Sequence, residues 1–90
     1  MEKFNLKLVS PEGIQFENSV WQLSARNTYG WFGIRAHHLN FLTSIVPCKM
    51  EIAVTPEMRL HFMIHSGILD FQHSGTCTII SEEKIERVQT

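Results

Sequence analysis

Short alternations of apolar and polar residues recur along this chain of 90 residues. In the first of them, Phe4, Leu6 and Leu8 are separated by Asn5 and Lys7. A period of two is typical of a β-strand that has one face on a core and the other in water. Similar segments cover residues 14–16, 20–25, 39–46, 50–54, 60–65, 68–71 and 76–80. Because turn residues separate them about every 8 to 12 residues, the pattern predicts an all-β fold, a β-sandwich or flattened barrel.

Turn signals divide the first half of the chain. Pro11, Glu12 and Gly13 follow the first strand, and Ile14 and Phe16 then resume the alternation, so the first two strands are predicted to form a hairpin. A second break is predicted at residues 18–19. Farther on, Gly30 and Gly33 enclose two aromatic residues, which predicts tight backbone turns there rather than a regular strand.

The last ten residues have a different pattern. Ser81 is a suitable cap for a short helix with Glu82 and Glu83 in its first turn, and Ile85 and Val88 would share one face. A helix of under about ten residues is marginal when isolated. We therefore expect at most a short helix at this end.

Composition indicates one compact domain with one core. Hydrophobic residues make up 43% of the chain and charged residues 19%. We divide the chain into a β-sandwich domain, residues 1–80, and a short tail or the start of a helical region, residues 81–90. The formal net charge of -1 removes the electrostatic argument for nucleic-acid binding, since counterion release from phosphates requires a basic excess.

Cysteine usage and the N-terminus bear on the compartment. Cys48 and Cys77 form no C-x-x-C motif, and two cysteines cannot make a disulfide framework, so free thiols in a reducing compartment are expected. The N-terminus lacks the apolar segment of a signal peptide, and no apolar run approaches the ~20 residues that span a bilayer. We expect a soluble cytoplasmic protein that reaches a membrane only through partners.

The five histidines raise the question of a metal site. His61 and His65 have the spacing that joins two imidazoles on a helix, but along a strand four residues span ~13 Å, too far for one zinc ion. His37 and His38 are adjacent and point in opposite directions in extended structure. No segment groups an acid, a base and an oxyanion donor, so catalysis, metals and cofactors are not expected.

The residues most suggestive of function lie between positions 30 and 47. Aromatic side chains together with arginine are typical of protein interfaces. This stretch contains Trp31, Phe32, Arg35, His38 and Phe41. The alternative is that Phe32, Ile34, Phe41 and Leu42 fill the core, and we expect that some of them do. Trp31, beside Gly30, is the better candidate for exposure.

Three segments resemble, in order, the epsilon subunit of F-type rotary ATP synthases. Residues 4–17 resemble its opening strands, which typically run L-x-V-V-S/T-P-E-G-x-x-F. Residues 30–47 resemble its segment G-x-F-G-I-L-P-x-H-x-x-x-L-T-x-L-x-P. They match it at Gly30, Phe32, Gly33, Ile34, His38, Leu42, Thr43 and Pro47. Residues 66–71 resemble G-G-x-L-E-V, and residues 76–80 resemble the T-V-T-V-L strand.

The resemblance implies a ten-stranded β-sandwich at the foot of the central stalk, on the cytoplasmic face of the membrane. Such a subunit has no catalytic residues. It grips the gamma subunit, rests on the c-ring, and couples ion-driven ring rotation to gamma and ATP synthesis. Carried over by position, Trp31 and Phe32 would face the c-ring, and Ser10, His38 and Leu39 would lie at gamma. A generic β-sandwich module for protein interaction or ligand binding remains the alternative.

The chain departs from the family pattern at several positions. Trp31 stands where better-known members have glutamate, so packing would replace a charge contact with ring arginine. Ala36 and His37 replace the usual Pro-Gly pair, and Cys48 replaces glycine. Residues 38–41 are closer to the R-H-x-D-F variant of the alternate, sodium-type ATP synthases. The chain ends where the family's C-terminal helical hairpin would begin, so inhibition or nucleotide sensing by that hairpin is not expected of these residues.

Overall fold

A computed structural model describes residues 2–89, which form β-strands and no helix. The strands are β1 (Phe4–Ser10), β2 (Gly13–Val20), β3 (Gln22–Asn27), β4 (Gly30–Ile34), β5 (Phe41–Ile45), β6 (Cys48–Ala53), β7 (Arg59–Ile64), β8 (Gly67–Gln72), β9 (Thr76–Ser81) and β10 (Glu86–Val88). The predicted all-β architecture is therefore confirmed. Residues 2–89 contain no helix that is long and apolar enough to cross a membrane.

The ten strands form two five-stranded sheets. Sheet 1 has the order β2-β1-β9-β8-β5, and sheet 2 has the order β10-β7-β6-β3-β4. Strands β1 and β9 are parallel, and the other neighbours are antiparallel. The two sheets bury their inner faces against each other, which produces the sandwich that the alternating pattern predicts.

The core consists of the inward positions of both sheets. Its largest fully buried side chains include Leu6, Leu8, Leu23, Ile34, Met50, Ile52, Ile64, Leu69, Phe71 and Ile79. All six phenylalanines form edge-to-face pairs with ring centroids 5.4 Å apart: Phe4 with Phe71, Phe16 with Phe62, and Phe32 with Phe41. Edge-to-face geometry is the arrangement that the aromatic quadrupole favours. The last two pairs join the sheets at opposite sides of the sandwich.

The first hairpin is confirmed, but it differs from the prediction in two respects. The break expected at residues 18–19 is absent, because both residues pair with β1 and strand β2 continues to Val20. The register also shifts next to Val9, so that Ile14 lies opposite Val9. Regular alternation from the inward-facing Phe16 would place Ile14 on the core side. The shift turns Ile14 outward, where it is exposed.

The short helix that the sequence allows near the C-terminal end does not form. The Ser81 hydroxyl does accept a hydrogen bond from the backbone N–H of Glu83, as a helix cap would, but the chain then turns and continues as β10 along the edge of β7. Ile85 is buried in the core, and its N–H donates to the Gln15 side chain at 2.6 Å. Core burial and pairing with β7 stabilise this segment more than an isolated helical turn would.

Candidate functional site

The stretch between the two glycines is a regular strand, contrary to the prediction of tight turns. Residues 30–34 form β4 and pair antiparallel with β3 along their whole length. Gly30 has a φ of 128° and ends the turn, whereas Gly33 lies within the strand. A side chain at Gly33 would find the flexible Gln22 amide 3.5 Å away, so ordinary extended backbone suffices there.

The β3–β4 turn presents two exposed aromatic side chains. The side-chain oxygen of Asn27 accepts a hydrogen bond from the N–H of Tyr29 at 2.9 Å, which organises the turn. Trp31 is 59% exposed and Tyr29 98%. Phe32, next to Trp31, points to the other side of the strand, where its ring packs on Phe41. Trp31 is thus a surface residue, whereas Phe32 is half-buried and supports strand β4 through its contact with Phe41.

The loop after β4 is fixed by side-chain contacts. Arg35 stacks on the Trp21 ring, with 4.1 Å from the guanidinium carbon to the ring centroid, and its Nε donates to Gln22 at 2.9 Å. His37 has a φ of 67°, unusual for a residue with a side chain, and its ring pairs with Glu2. These contacts hold an otherwise exposed connection in one conformation.

His38 and Leu39 lie together in this loop, with different exposure. The His38 ring packs against Phe41 and Phe71, with centroid distances of 5.5 and 5.7 Å. The backbone carbonyl oxygen of His38 accepts a hydrogen bond from Nδ1 of His73 at 3.0 Å. Leu39 is 76% exposed. The loop therefore presents an apolar side chain beside an imidazole that the core holds in place.

Ser10 lies at the other end of sheet 1. It is the last residue of β1 and is buried, and its hydroxyl accepts a hydrogen bond from the N–H of Glu12 at 3.1 Å. Only the neighbouring turn, with Pro11 and Glu12 exposed, is accessible to a partner at this position. The structure thus brings His38 and Leu39 together and places Ser10 apart from them.

Tyr29, the most exposed large hydrophobic side chain among residues 2–89, was not predicted as a candidate site residue. A detectable signal was present, because Tyr29 precedes Gly30 in a polar run and so lies at a turn. Exposure of a large aromatic at a turn tip is typical of binding residues.

A small cluster of ionisable side chains lies on β6 and β7 around Glu51. Glu51 accepts hydrogen bonds from Arg59 at 2.5 Å and from Nε2 of His61 at 3.2 Å. His65 follows the end of β7 and is exposed. Across residues 2–89, no three metal-ligating side chains are grouped for one ion. An open cavity of about 450 Å³ lies beside this cluster, between β7 and β10, and Arg87 of β10 is among the residues that line it.

Both cysteines are free and buried. Burial raises the pKa of the Cys77 thiol to about 12, with a further contribution from the negative charge of Asp70. Burial also raises the pKa of Cys48, and a backbone hydrogen bond involving Arg26 offsets part of this increase. A reactive cysteine requires a lowered pKa and access to solvent, so these positions are those of structural thiols.

Comparison with known proteins identifies the domain type. The family model described as the ATP synthase, Delta/Epsilon chain, beta-sandwich domain matches residues 3–87. The ATP synthase epsilon chain of Persephonella marina is 29% identical over 79 residues, which are 88% of this chain and 58% of that protein. The epsilon chain of Ruminococcus albus is 33% identical over 81 residues, 90% of this chain and 60% of that protein. The chain thus spans about 60% of the length of these relatives.

Solved structures share the fold at lower sequence identity. A chain in the cryo-EM structure of the Euglena gracilis mitochondrial ATP synthase OSCP/F1/c-ring has a TM-score of 0.89 and 16% identity, covering 97% of this chain and 54% of that one. A chain in the Tetrahymena thermophila mitochondrial ATP synthase central stalk/c-ring has a TM-score of 0.77 and 15% identity, covering 91% and 65%. Because the family match extends over nearly every described residue, the chain belongs to the β-sandwich domain family of ATP synthase delta/epsilon chains.

Proposed function

We propose that this chain is a non-catalytic rotor subunit in the central stalk of an ATP synthase. In this role it binds the gamma subunit and the c-ring and couples ion-driven ring rotation to gamma. The observation that carries the proposal is the family match across residues 3–87, which covers both sheets of the sandwich. It is supported by relatives that are themselves ATP synthase epsilon chains. The protein would then lie at the cytoplasmic face of the membrane, attached through these partners.

The ring-facing contact is assigned to the β3–β4 edge. Trp31 is more than half exposed. The residue opposite it on β3 is Arg26 and not a carboxylate. A ring loop would therefore meet an indole and would pack against it instead of forming a salt bridge. Phe32 supports this edge from the inner side by its contact with Phe41. Burying an aromatic side chain gives more binding energy than an exposed ion pair does.

The gamma-facing contact is assigned to Ser10, His38 and Leu39. Leu39 offers an exposed apolar side chain, and His38 is held beside it by two phenylalanine rings. The buried Ser10 acts by shaping the turn that follows it, through its hydrogen bond with Glu12. A rigid loop loses little conformational entropy when it binds, which favours a lasting contact in a rotor.

Co-expression with the gamma subunit of the same organism tests the proposal. We expect a one-to-one complex that survives native mass spectrometry. Failure to form any stable complex with gamma would contradict the proposed function and favour a generic interaction module.

Trp31→Ala tests the ring contact. We expect weaker attachment of the reassembled complex to c-ring vesicles and lower ATP-driven ion pumping. The thermal stability of the isolated domain should change by under about 1 kcal/mol, because the side chain is mainly solvated.

Phe32→Ala is the matched control, since it removes the neighbouring ring from the half-buried side of the same strand. It should cost about 2 kcal/mol or more of stability. If Trp31→Ala destabilised the isolated domain as much as Phe32→Ala, Trp31 would be a core residue and the ring assignment would be wrong.

A further inference from the structure

A recess lies at the edge of sheet 2, where β10 ends beside β7. Strand β10 pairs with β7 from Met63 to His61, and its last residue, Val88, lies opposite His61. Strand β7 begins two residues earlier, at Arg59. Among residues 2–89, no strand pairs with Arg59 and Leu60 on this side of β7. The cavity of about 450 Å³ occupies this position, and its volume lies within the range of small-molecule sites.

The recess is lined by basic residues and by no acidic one among residues 2–89. The residues that line it are Arg59, Leu60, His61, Arg87, Val88 and Gln89. Two arginines from neighbouring strands therefore border one cavity. Guanidinium groups bind phosphate and carboxylate groups through paired N–H donors. The lining thus indicates an anionic ligand.

Glu51 of β6 fixes one side of the recess. It lies outside the lining and accepts hydrogen bonds from Arg59 at 2.5 Å and from His61 at 3.2 Å. The His61 side chain is 11% exposed and the Arg59 side chain 40%, so the imidazole is enclosed while the guanidinium still reaches solvent. The bond to Glu51 uses one of the five N–H donors of Arg59. A side chain that is already held loses less conformational entropy when it binds a ligand.

Arg87 supplies the positive charge that Glu51 does not balance. It is exposed, and the ion pairs among residues 2–89 do not include it. The strands of sheet 2 also carry more basic than acidic residues: Arg26, Lys49, Arg59 and Arg87 against Glu51 and Glu86. This side of the domain therefore attracts anions, although the formal net charge of the chain is -1.

The arrangement of the two arginines favours a phosphate over a carboxylate. A phosphate monoester has a charge of about -1.5 to -2 at neutral pH and three acceptor oxygens. It can therefore contact arginines on both strands at once, whereas the two oxygens of a carboxylate lie in one plane. Leu60 and Val88 add apolar surface on which the carbon part of such an ester can pack.

We propose that the recess between β7 and β10 is a binding site for a small phosphate monoester. Arg59 and Arg87 contact the phosphate oxygens, and Leu60 and Val88 contact the carbon chain next to them. None of the residues assigned above to the c-ring or to gamma lines the recess, so the site is independent of the proposed function.

Titration of the whole isotope-labelled chain with n-butyl phosphate, at neutral pH and constant ionic strength, tests the site. We expect saturable NMR shifts at the amides of residues 59–61 and 87–89. The Kd should be on the order of 1 mM, a value that two charge-assisted hydrogen bonds allow. If these amides showed no saturable shift up to about 20 mM ligand, the site would be refuted.

Substitution of the two arginines tests their role. Arg59→Gln and Arg87→Gln should each raise the Kd about tenfold or more, the loss expected for one charge-assisted hydrogen bond. Arg26→Gln is the matched control, because it removes the same charge from an exposed position of sheet 2 outside the recess. It should leave the Kd within about threefold of the wild-type value. Equal losses in all three variants would indicate general charge attraction and overturn the site.

Arg87→Lys separates the paired donors of arginine from its charge. Lysine keeps the charge but lacks the planar fork, so the Kd should rise by about threefold to tenfold. Both Arg87 variants should melt within about 2 °C of the wild type, because the side chain is exposed. Wild-type affinity in the folded Arg87→Gln variant would contradict the assignment of Arg87.

Two further probes identify the source of the phosphate group. Inorganic phosphate should bind at least about threefold more weakly than n-butyl phosphate, because it makes no contact with Leu60 and Val88. Vesicles that contain phosphatidylglycerol should not retain the chain. Retention on these vesicles that requires Arg87, without binding of n-butyl phosphate, would point to a lipid headgroup and overturn the proposal of a free ligand.

Discussion

Gly67→Ala tests a close backbone approach between β8 and β9. Gly67 begins β8 between two neighbours, opposite Ser81 of β9 and Ile45 of β5. A Cβ at this position would lie 2.7 Å from the carbonyl oxygen of Ile80 and 3.2 Å from Cδ1 of Ile64. The oxygen belongs to a paired strand backbone and cannot rotate away. Strands β8 and β9 must therefore separate locally to accept a methyl group.

The expected cost follows from this geometry. Inserting a methyl group into a well-packed site typically costs about 1 to 3 kcal/mol, and a backbone obstacle favours the upper part of that range. Replacing glycine restricts the unfolded chain, which returns roughly 0.4 to 1 kcal/mol. The net loss is then about 2 kcal/mol. For a domain of this length that corresponds to a fall in Tm of roughly 8 to 16 °C.

Thermal and urea unfolding of the isolated chain measure the effect without any partner. Gly33→Ala is the internal control, because its Cβ would meet the Gln22 side chain at 3.5 Å and the Leu23 carbonyl oxygen at 3.9 Å, both ordinary van der Waals distances. We expect Gly33→Ala to be neutral or slightly stabilising. If Gly67→Ala melted within about 2 °C of the wild type, the tight approach of β8 to β9 would be wrong. An equal loss in both variants would show instead that generic strand effects dominate.

Two further predictions concern the core. Leu6→Ala should destabilise the domain by about 2 to 5 kcal/mol in urea unfolding, because the side chain is fully buried; a loss under about 1 kcal/mol would contradict that placement. For Cys77, burial raises the pKa from 9.0 to about 12, so the unfolded chain loses the thiol proton first and stability should fall as pH rises from about 9 to 12. Unfolding of wild type and Cys77→Ala compared at pH 8 and pH 10.5 measures this, and the same pH dependence in both would refute it.

The sequence predicted the strands well where one face is buried and the other solvated. In β1, Phe4, Leu6 and Leu8 are buried, as their alternation indicates. The sequence was less informative for strands at the edge of a sheet and for strands with a shifted pairing register. Ile14 and Phe16 continue the alternation in the sequence, yet Ile14 is exposed, because a register shift depends on how the partner strand pairs and cannot be recognised from one strand.

The candidate site was predicted in part. Exposure of Trp31 followed from its place beside Gly30, and it is confirmed. The regular strand through Gly33 was not predicted, because glycine permits a turn without requiring one and pairing with β3 decides the outcome. The alignment of Ile14, Val9, Ile80 and Ile68 across the outer face of sheet 1 could not be predicted, since these residues come from four strands and alternation does not say which neighbours align.

Local chemistry thus decides which segments of this chain are strands and which alternate residues share a face, since both depend on a period of two and on nearby turn residues. Tertiary structure decides the rest. The burial of Ile85 and the free edge of β7 make the C-terminal segment a strand instead of a helix. Tertiary packing also decides which residues between Gly30 and Pro47 are accessible. The core holds His38, whereas Trp31 and Leu39 remain exposed. Such outcomes depend on contacts between residues far apart in the chain, and no local pattern encodes them.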